Sequence, residues 1–402
     1  MSKPASLGRV EFILLFALIT SLTALSIDAM LPALPAIANT FELENINDTQ
    51  LILSLFVLGT VFGELVFGPI SDAYGRRFAV IAGIIGYIAG TLLTIFAGSY
   101  LWLLLGRMLQ GAGVAGSRIG SRALVRDLYQ GEEMARVMSF IMTIFILIPM
   151  VAPAMGQVVL NIWGWQAIFV SFLLMGLLVL CWFSIRQRET LTPEKRIPLS
   201  LSNIVSCTKQ IVKHGKVMSY TFVSGLVFGV MIVYLSTSQD MFASLYGRAE
   251  QFPLYFALLA FGVGIAALVN GKLVMRFGMQ VISRTALLVV LVFSFILLVF
   301  TYLGQGVPVF ASFVVCLFMI LFGVGFVFGN INAMSMQWLG GMAGVGASVV
   351  GAVSSTTAVL FSLLVGRTYD VSLYPLSIAF IAVAFICLGL LRVARNAQAT
   401  HL

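Results

Sequence analysis

Charge is what this chain has least of. Asp, Glu, Lys and Arg together make up 9% of its 402 residues, against about 25% in soluble domains, so no water-soluble surface can be built from it. Cysteine and histidine are also scarce. Cys181, Cys207, Cys316 and Cys387 show no paired or metal-like spacing, and His214 and His401 stand outside the apolar segments. That argues against both a disulfide framework and a metal centre. No G-x-x-x-x-G-K-[ST] phosphate loop occurs, which argues against ATP bound to this chain as a source of energy and leaves an ion gradient or a partner. Gly111, Gly113 and Gly116 do satisfy G-x-G-x-x-G, but they lie inside an apolar segment with no strand before them. They read as a surface for close helix packing rather than a dinucleotide loop. No cofactor is implied, and the chain is not read as an enzyme.

What is abundant is apolar sequence. Hydrophobic residues make up 60% of the chain and the mean hydropathy is +1.06. Crossing the hydrocarbon takes ~20 mostly apolar residues per helix, with every backbone polar group satisfied internally. The apolar runs are continuous rather than alternating, so an all-α bundle is expected and a barrel is not. Spans are expected near 11–36, 49–72, 78–98, 101–125, 135–160 and 165–186, then 217–239, 252–275, 281–303, 307–330, 342–368 and 374–394. The fold class is thus an all-α membrane protein with twelve transmembrane helices in two six-helix halves. The longest polar interval divides it into an N-terminal bundle (1–186), a cytoplasmic linker (187–216) and a C-terminal bundle (217–402). The basic start followed by an apolar core resembles a signal peptide. The segment is too long, however, and shows no small-residue cleavage site, so it reads as a retained first helix.

The two halves carry a common signature. GPISDAYGRR at Gly68–Arg77 recurs in weaker form as GKLVMRFGMQ at Gly271–Gln280, with Gly68 matching Gly271, Tyr74 matching Phe277 and Gly75 matching Gly278. Each copy closes one apolar segment and opens the next, as expected of a chain built from two similar halves. Parallel repeats of six helices are the architecture of major facilitator transporters, whose solute site lies between the halves near the bilayer midplane.

The positive-inside rule sets the orientation. With both termini cytoplasmic, basic residues including Arg76, Arg77, Arg126, Arg186, Lys209, Lys213, Arg284, Arg392 and Arg395 gather inside, whereas Glu42, Glu44, Asp48, Asp240, Glu250 and Asp370 fall on or near the other side. The net charge of +8 reflects that topology and the anionic lipid headgroups, and is no argument for nucleic acid. A bacterial inner membrane is the expected location, and nothing demands more than a monomer.

The informative residues are the ionisable ones inside the bilayer: Asp28, Glu64, Arg107, Arg118 and Arg122. Each costs ~2.5–3.5 kcal/mol at a helix centre unless paired or hydrated. Asp28 precedes Pro35 by about two helical turns, and Arg107 lies at a similar depth on span 4, so the two are placed to meet across a cavity. Arg118 follows Arg107 by about three turns and returns to nearly the same face. Glu64 on span 2 lies at the depth of Arg118, so a second ion pair is expected. Asp28, Arg107 and Glu64 are therefore candidates for proton coupling, a carboxylate alternating between a proton and an ionic partner or solute. The opposing reading is a fixed pair that only positions helices. In GPISDAYGRR, Gly68 permits a close helix approach and Gly75 a tight turn. Asp72, Arg76 and Arg77 offer charges at the cytoplasmic edge where Asp127 ends span 4. A breakable salt bridge holding one access state shut would use these parts.

Taken together, SIDAMLPALP (Ser26–Pro35), GELVFGPISDAYGRR (Gly63–Arg77), GRMLQG (Gly106–Gly111), RDLYQGEEMARVMSF (Arg126–Phe140), IPMVAPAMG (Ile148–Gly156) and MAGVGAS (Met342–Ser348) resemble the Bcr/CflA drug-resistance transporters, proton-coupled exporters of the major facilitator superfamily. The resemblance covers nearly the whole chain. It implies that Asp28 couples proton and drug, that Arg107 transfers the proton or meets the substrate, and that Asp72, Arg76 and Asp127 form a cytoplasmic gate. It implies an exporter-type bend at Pro149, Pro153 and Gly156. Two departures stand out. That family commonly has Gln where this chain has Glu64, and its bend usually reads Gly-Pro-x-x-Gly-Gly where this chain has Ala152-Pro153-x-x-Gly156-Gln157.

For the solute, an apolar aromatic cavity with few charges suits drug-like amphiphiles. Its candidate lining is Asp28, Arg107, Arg118, Phe56, Phe145 and Tyr234, although aromatics such as Trp163, Phe242 and Phe261 equally suit lipid or packing. The resemblance implies antibiotics such as phenicols or bicyclomycin. Export of an endogenous metabolite or siderophore, or proton-coupled nutrient uptake, would need no different motif, and a receptor or assembly subunit would keep the fold without moving solute. The expected partners are a small-molecule solute, protons and the lipid bilayer.

Overall fold

The structure is a computed structural model that describes residues 8–129, 131–196, 201–339 and 343–396. His401, Gly340–Met342 and the Cys207 side chain lie outside the described residues. The element order is α1 (Arg9–Asp28), α2 (Leu34–Thr40), α3 (Gln50–Tyr74), α4 (Arg76–Ile95), α5 (Tyr100–Leu128), α6 (Gly131–Trp163), α7 (Trp165–Arg186), α8 (Leu201–Lys213), α9 (Gly215–Asp240), α10 (Phe252–Phe277), α11 (Met279–Leu303), α12 (Phe310–Met336), α13 (Ala343–Gly366) and α14 (Tyr374–Asn396). All but the short α2 and α8 are long helices, twelve among the described residues, which is the architecture expected from the apolar runs. Ten spans qualify for membrane crossing by length and composition alone. The two long helices outside that set are α5, which carries the arginines, and α6, whose apolar stretch is Leu147–Trp163.

Helix ends follow from local chemistry. Pro32 has no N–H to give the Asp28 carbonyl and its ring would collide with it, so α1 stops at Asp28 and the first span is broken rather than continuous to residue 36. The α3–α4 and α10–α11 junctions both turn on a glycine in a region of backbone space open to glycine almost alone. Gly75 has φ 118° and ψ 156°, and Gly278 has φ 79° and ψ 154°. This is the structural content of the sequence repeat.

The helices form two compact units, one of residues 1–30 and 55–201, the other of residues 31–54 and 202–402. In the first, Phe12, Phe16, Ile84, Leu124, Ile141, Val179 and Phe183 form a continuous apolar core. Helices α4 and α5 approach backbone to backbone: a Cβ on Gly113 would strike the Tyr87 amide. Close packing is what that glycine run serves. In the second unit, Phe242 is fully buried among the rings of Phe252, Tyr255, Phe310 and Phe313. It therefore belongs to the core. Trp163 and Phe261 project outward, as aromatic rings facing lipid do. The polar linker contains the helix α8, whose Ile211 is buried with Val217 and Leu339. Cys181, Cys316 and Cys387 are free thiols.

Candidate functional site

Because α1 ends at Asp28, this acid stands at a helix terminus deep in the first unit, 5% exposed. Among the described residues its carboxyl group has neither an ion pair nor a hydrogen bond. The next residue is held close to α6: a Cβ on Gly156 would land on the Ala29 carbonyl. Gly156 thus lets α6 lie against the end of α1. Pro149 and Pro153 lie within the same helix, where each withholds one backbone N–H from the ladder.

Arg107 is fully buried on α5 but does not reach Asp28 in this structure. One guanidinium nitrogen donates to the backbone carbonyl of Ser26 at 3.0 Å and another to Gln110 Oε1. The cation lies over the Phe56 ring, 4.4 Å from its centre, an arrangement that offsets part of the desolvation. Gln110 Nε2 in turn donates to Thr91 Oγ1 at 2.9 Å, Thr91 Oγ1 donates to the Tyr87 carbonyl at 2.7 Å, and the Tyr87 hydroxyl meets Ser26 Oγ at 2.8 Å. Ser26, Tyr87, Thr91, Arg107 and Gln110 all have zero exposure. The result is a closed polar ring at the last turn of α1, with the Arg107 cation bonded to the carbonyl of Ser26, two residues before the acid. Sequence reading missed its neutral members. The available signal was Gln110, which stands three positions after Arg107 on the same helix face.

Nearer the other end of the same helices, Glu64 and Arg118 form an ion pair between α3 and α5, both largely buried. Arg122, one turn on, places a second cation near that carboxylate. Phe56 and the half-buried Phe145 belong to the first unit. Tyr234 belongs to the second, where it is buried and stacks parallel to Phe256.

The motif at the α3–α4 junction is held by residues of its own unit. Arg76 pairs with Asp72 and, through Nε, with Asp127 Oδ2 at 3.3 Å, and it donates to Ser71 Oγ at 3.1 Å. Arg77 donates to the carbonyls of Gln187 and Ser184 at 2.9 and 2.8 Å. The residue that sequence reading missed is Glu189. Its two carboxylate oxygens accept the amide protons of Arg76 and Arg77, both at 3.0 Å, and so cap the positive end of α4. Gly75 leaves the room for it, since a Cβ there would collide with the Glu189 carboxylate. Gly68 lies on α3 one residue before Pro69.

A second set, also missed, joins the start of α3 to the end of α13 within the second unit. Gln50 Nε2 donates to the Gly366 carbonyl at 2.7 Å, Asn47 Nδ2 donates to the Tyr369 carbonyl at 2.9 Å, and Ser54 Oγ meets Ser362 Oγ at 3.3 Å. A side chain on Gly366 would occupy the space of the Gln50 amide. The Tyr369 hydroxyl donates to Asp240 Oδ2 at 2.7 Å. Burial first, and then this carboxylate, hold that hydroxyl well above its usual range, so its proton stays in place.

Comparison with known proteins gives these features a setting. The sequence model described as Major Facilitator Superfamily matches residues 16–362. A bicyclomycin resistance protein homolog of Haemophilus influenzae is 28% identical, the match covering 89% of this chain and 90% of that protein. A chloramphenicol resistance protein of Pseudomonas aeruginosa is 29% identical over 68% of this chain and 64% of its own length. Among solved structures, the human organic anion transporter MFSD10 superposes with a TM-score of 0.73 at 16% identity, over 98% of this chain and 100% of that one.

Proposed function

The chain belongs to the major facilitator superfamily, and from that premise we propose that it is a proton-driven efflux antiporter for small amphiphilic antibiotics of the phenicol or bicyclomycin type. It works by alternating access. The observation that carries this reading is Asp28: a lone, buried carboxyl group at a helix break, with no ion pair among the described residues and with α6 against its terminus. An acid kept in a membrane interior without a fixed partner suits a group that gains and loses a proton. The resistance proteins it resembles support the solute class.

In this scheme Asp28 takes a proton from the outside, the return to the inward-open state follows, and solute entering from the cytoplasm displaces the proton. Arg107 acts through the Ser26 carbonyl, setting the potential at the last turn of α1, and Glu64 with Arg118 forms a second charge site. Asp28, Arg107, Arg118, Phe56, Phe145 and Tyr234 line the solute cavity. Gly68, Asp72, Gly75, Arg76, Arg77 and Asp127 form the cytoplasmic gate, and Pro149, Pro153 and Gly156 the exporter bend. The halves are 1–186 and 217–402, joined by a cytoplasmic linker at 187–216. The protein works as a monomer in a bacterial inner membrane with both termini cytoplasmic. Inward protons contribute ~2.3 kcal/mol per 100 mV.

Expression in an efflux-deficient bacterial host tests the solute class. The account expects at least a four-fold rise in the inhibitory concentration of florfenicol, chloramphenicol or bicyclomycin. No rise for any of them, with the protein present in the membrane, would overturn the drug assignment.

A further inference from the structure

We infer that the cytoplasm-facing ends of α11 and α14 hold the phosphate headgroup of an anionic phospholipid, with an acyl chain in the apolar groove beside it. Arg284, in the second turn of α11, and Arg392 and Arg395, in the last turns of α14, line one cavity of about 640 Å³. None of the three has an ion pair or hydrogen bond among the described residues. The acids of α9–α14 and their connections are Asp240, Glu250 and Asp370, all at the opposite helix ends. Three exposed cations thus line one cavity with no acid beside them among the described residues, which leaves them available to an anion from outside the chain.

The floor of the cavity is suited to phosphate. Tyr220, 2% exposed, accepts a hydrogen bond from Gln280 Nε2 at 3.3 Å, which leaves its own O–H to donate. The walls are suited to a lipid chain. Leu288, Leu291, Phe385 and Leu388 continue the cavity along the helices, and Phe385 is 72% exposed. Gly389 opens the groove further, because nothing stands within 4 Å of where its Cβ would be. A free anion would need the arginines but not this apolar wall. A basic cavity between helices at the cytoplasmic side, open to lipid, has the chemistry that recognises anionic headgroups. The site is separate from Asp28 and does not depend on which solute is carried.

The test uses the full-length protein in neutral detergent, titrated with phosphatidylglycerol or phosphatidylcholine and read by native mass spectrometry. Phosphatidylglycerol should be retained in preference to phosphatidylcholine. Each Arg→Gln change at 284, 392 or 395 should weaken that retention about five-fold, the equivalent of ~1 kcal/mol per basic residue. Gly389→Trp should weaken it as strongly with every charge intact, and Arg276→Gln, on the same side but outside the cavity, should not. Equal retention by wild type and the triple glutamine variant would overturn the proposal, as would loss of phosphatidylglycerol to inorganic phosphate at 50 mM, which would mark an adventitious ion only.

Discussion

The α3–α4 and α10–α11 junctions are two versions of one turn. Gly75 and Gly278 share an unusual backbone conformation, yet their surroundings differ completely. Around Gly75, Arg76 bonds to Asp72, Asp127 and Ser71, and Glu189 caps the helix that follows. Around Gly278 the matching positions hold Met275, Met279 and Gln280, and Arg276 lies over the ring of its neighbour Phe277. The fold needs the glycine, and among the described residues only the first copy adds ion pairs around it. Deeper in the helices the contrast repeats. α5 carries Arg107, Arg118 and Arg122, whereas its counterpart α12 contains no ionisable side chain other than Cys316. Charge chemistry is concentrated in the first half, and the second supplies an apolar, aromatic frame.

The sharpest way to break this comparison is to neutralise the acid. Asp28→Asn should lower coupled transport by about 100-fold or more, the scale of a lost proton-transfer group. Met231→Leu, at the matching position of the second half, should leave transport near wild type, both read as drug-dependent proton flux. Next in size are the two glycines. Gly75→Ala and Gly278→Ala each force a backbone conformation that costs ~1–3 kcal/mol with a side chain. Gly75→Ala should show the larger fall in thermal midpoint because its Cβ also meets Glu189. Glu189→Gln isolates the cap, with an expected loss of ~1 kcal/mol seen as faster amide exchange at the start of α4. No change there would remove the cap from the account.

The smallest effect belongs to the second unit. Gln50→Ala removes one neutral hydrogen bond to Gly366, worth ~0.5–1.5 kcal/mol, and should raise the labelling rate of a cysteine placed at Ser54 by a few fold. The raised Tyr369 hydroxyl works in the same direction at every physiological pH. Its bond to Asp240 is present below the ordinary tyrosine value of about 10 and is lost only as pH rises beyond it. Once divided by the ionised fraction of the cysteine thiol, the labelling rate should therefore be flat between pH 6 and 9, and a step within that range would contradict the assignment.

The helices were legible because runs of twenty apolar residues admit no other structure in a bilayer, and Asp28 was legible because an acid there is expensive. Glu64 and Arg118 were legible from depth alone. The polar ring was not, because Ser26, Tyr87 and Thr91 carry no charge, and Ser and Thr usually bond back to their own helix. Glu189 was hidden in a polar linker whose residues show no periodicity, more than a hundred positions from the amides it caps. Gln50 and Gly366 were hidden for a similar reason, since neither type alone signals a contact. The break after Asp28 was readable from Pro32, but an unbroken apolar run outweighed it.

The most direct test is solute-driven proton movement in proteoliposomes, with chloramphenicol, florfenicol and bicyclomycin against wild type and Asp28→Asn. The account predicts proton flux that appears only when drug and Asp28 are both present. Drug-dependent flux that persists undiminished in a folded Asp28→Asn protein would contradict it.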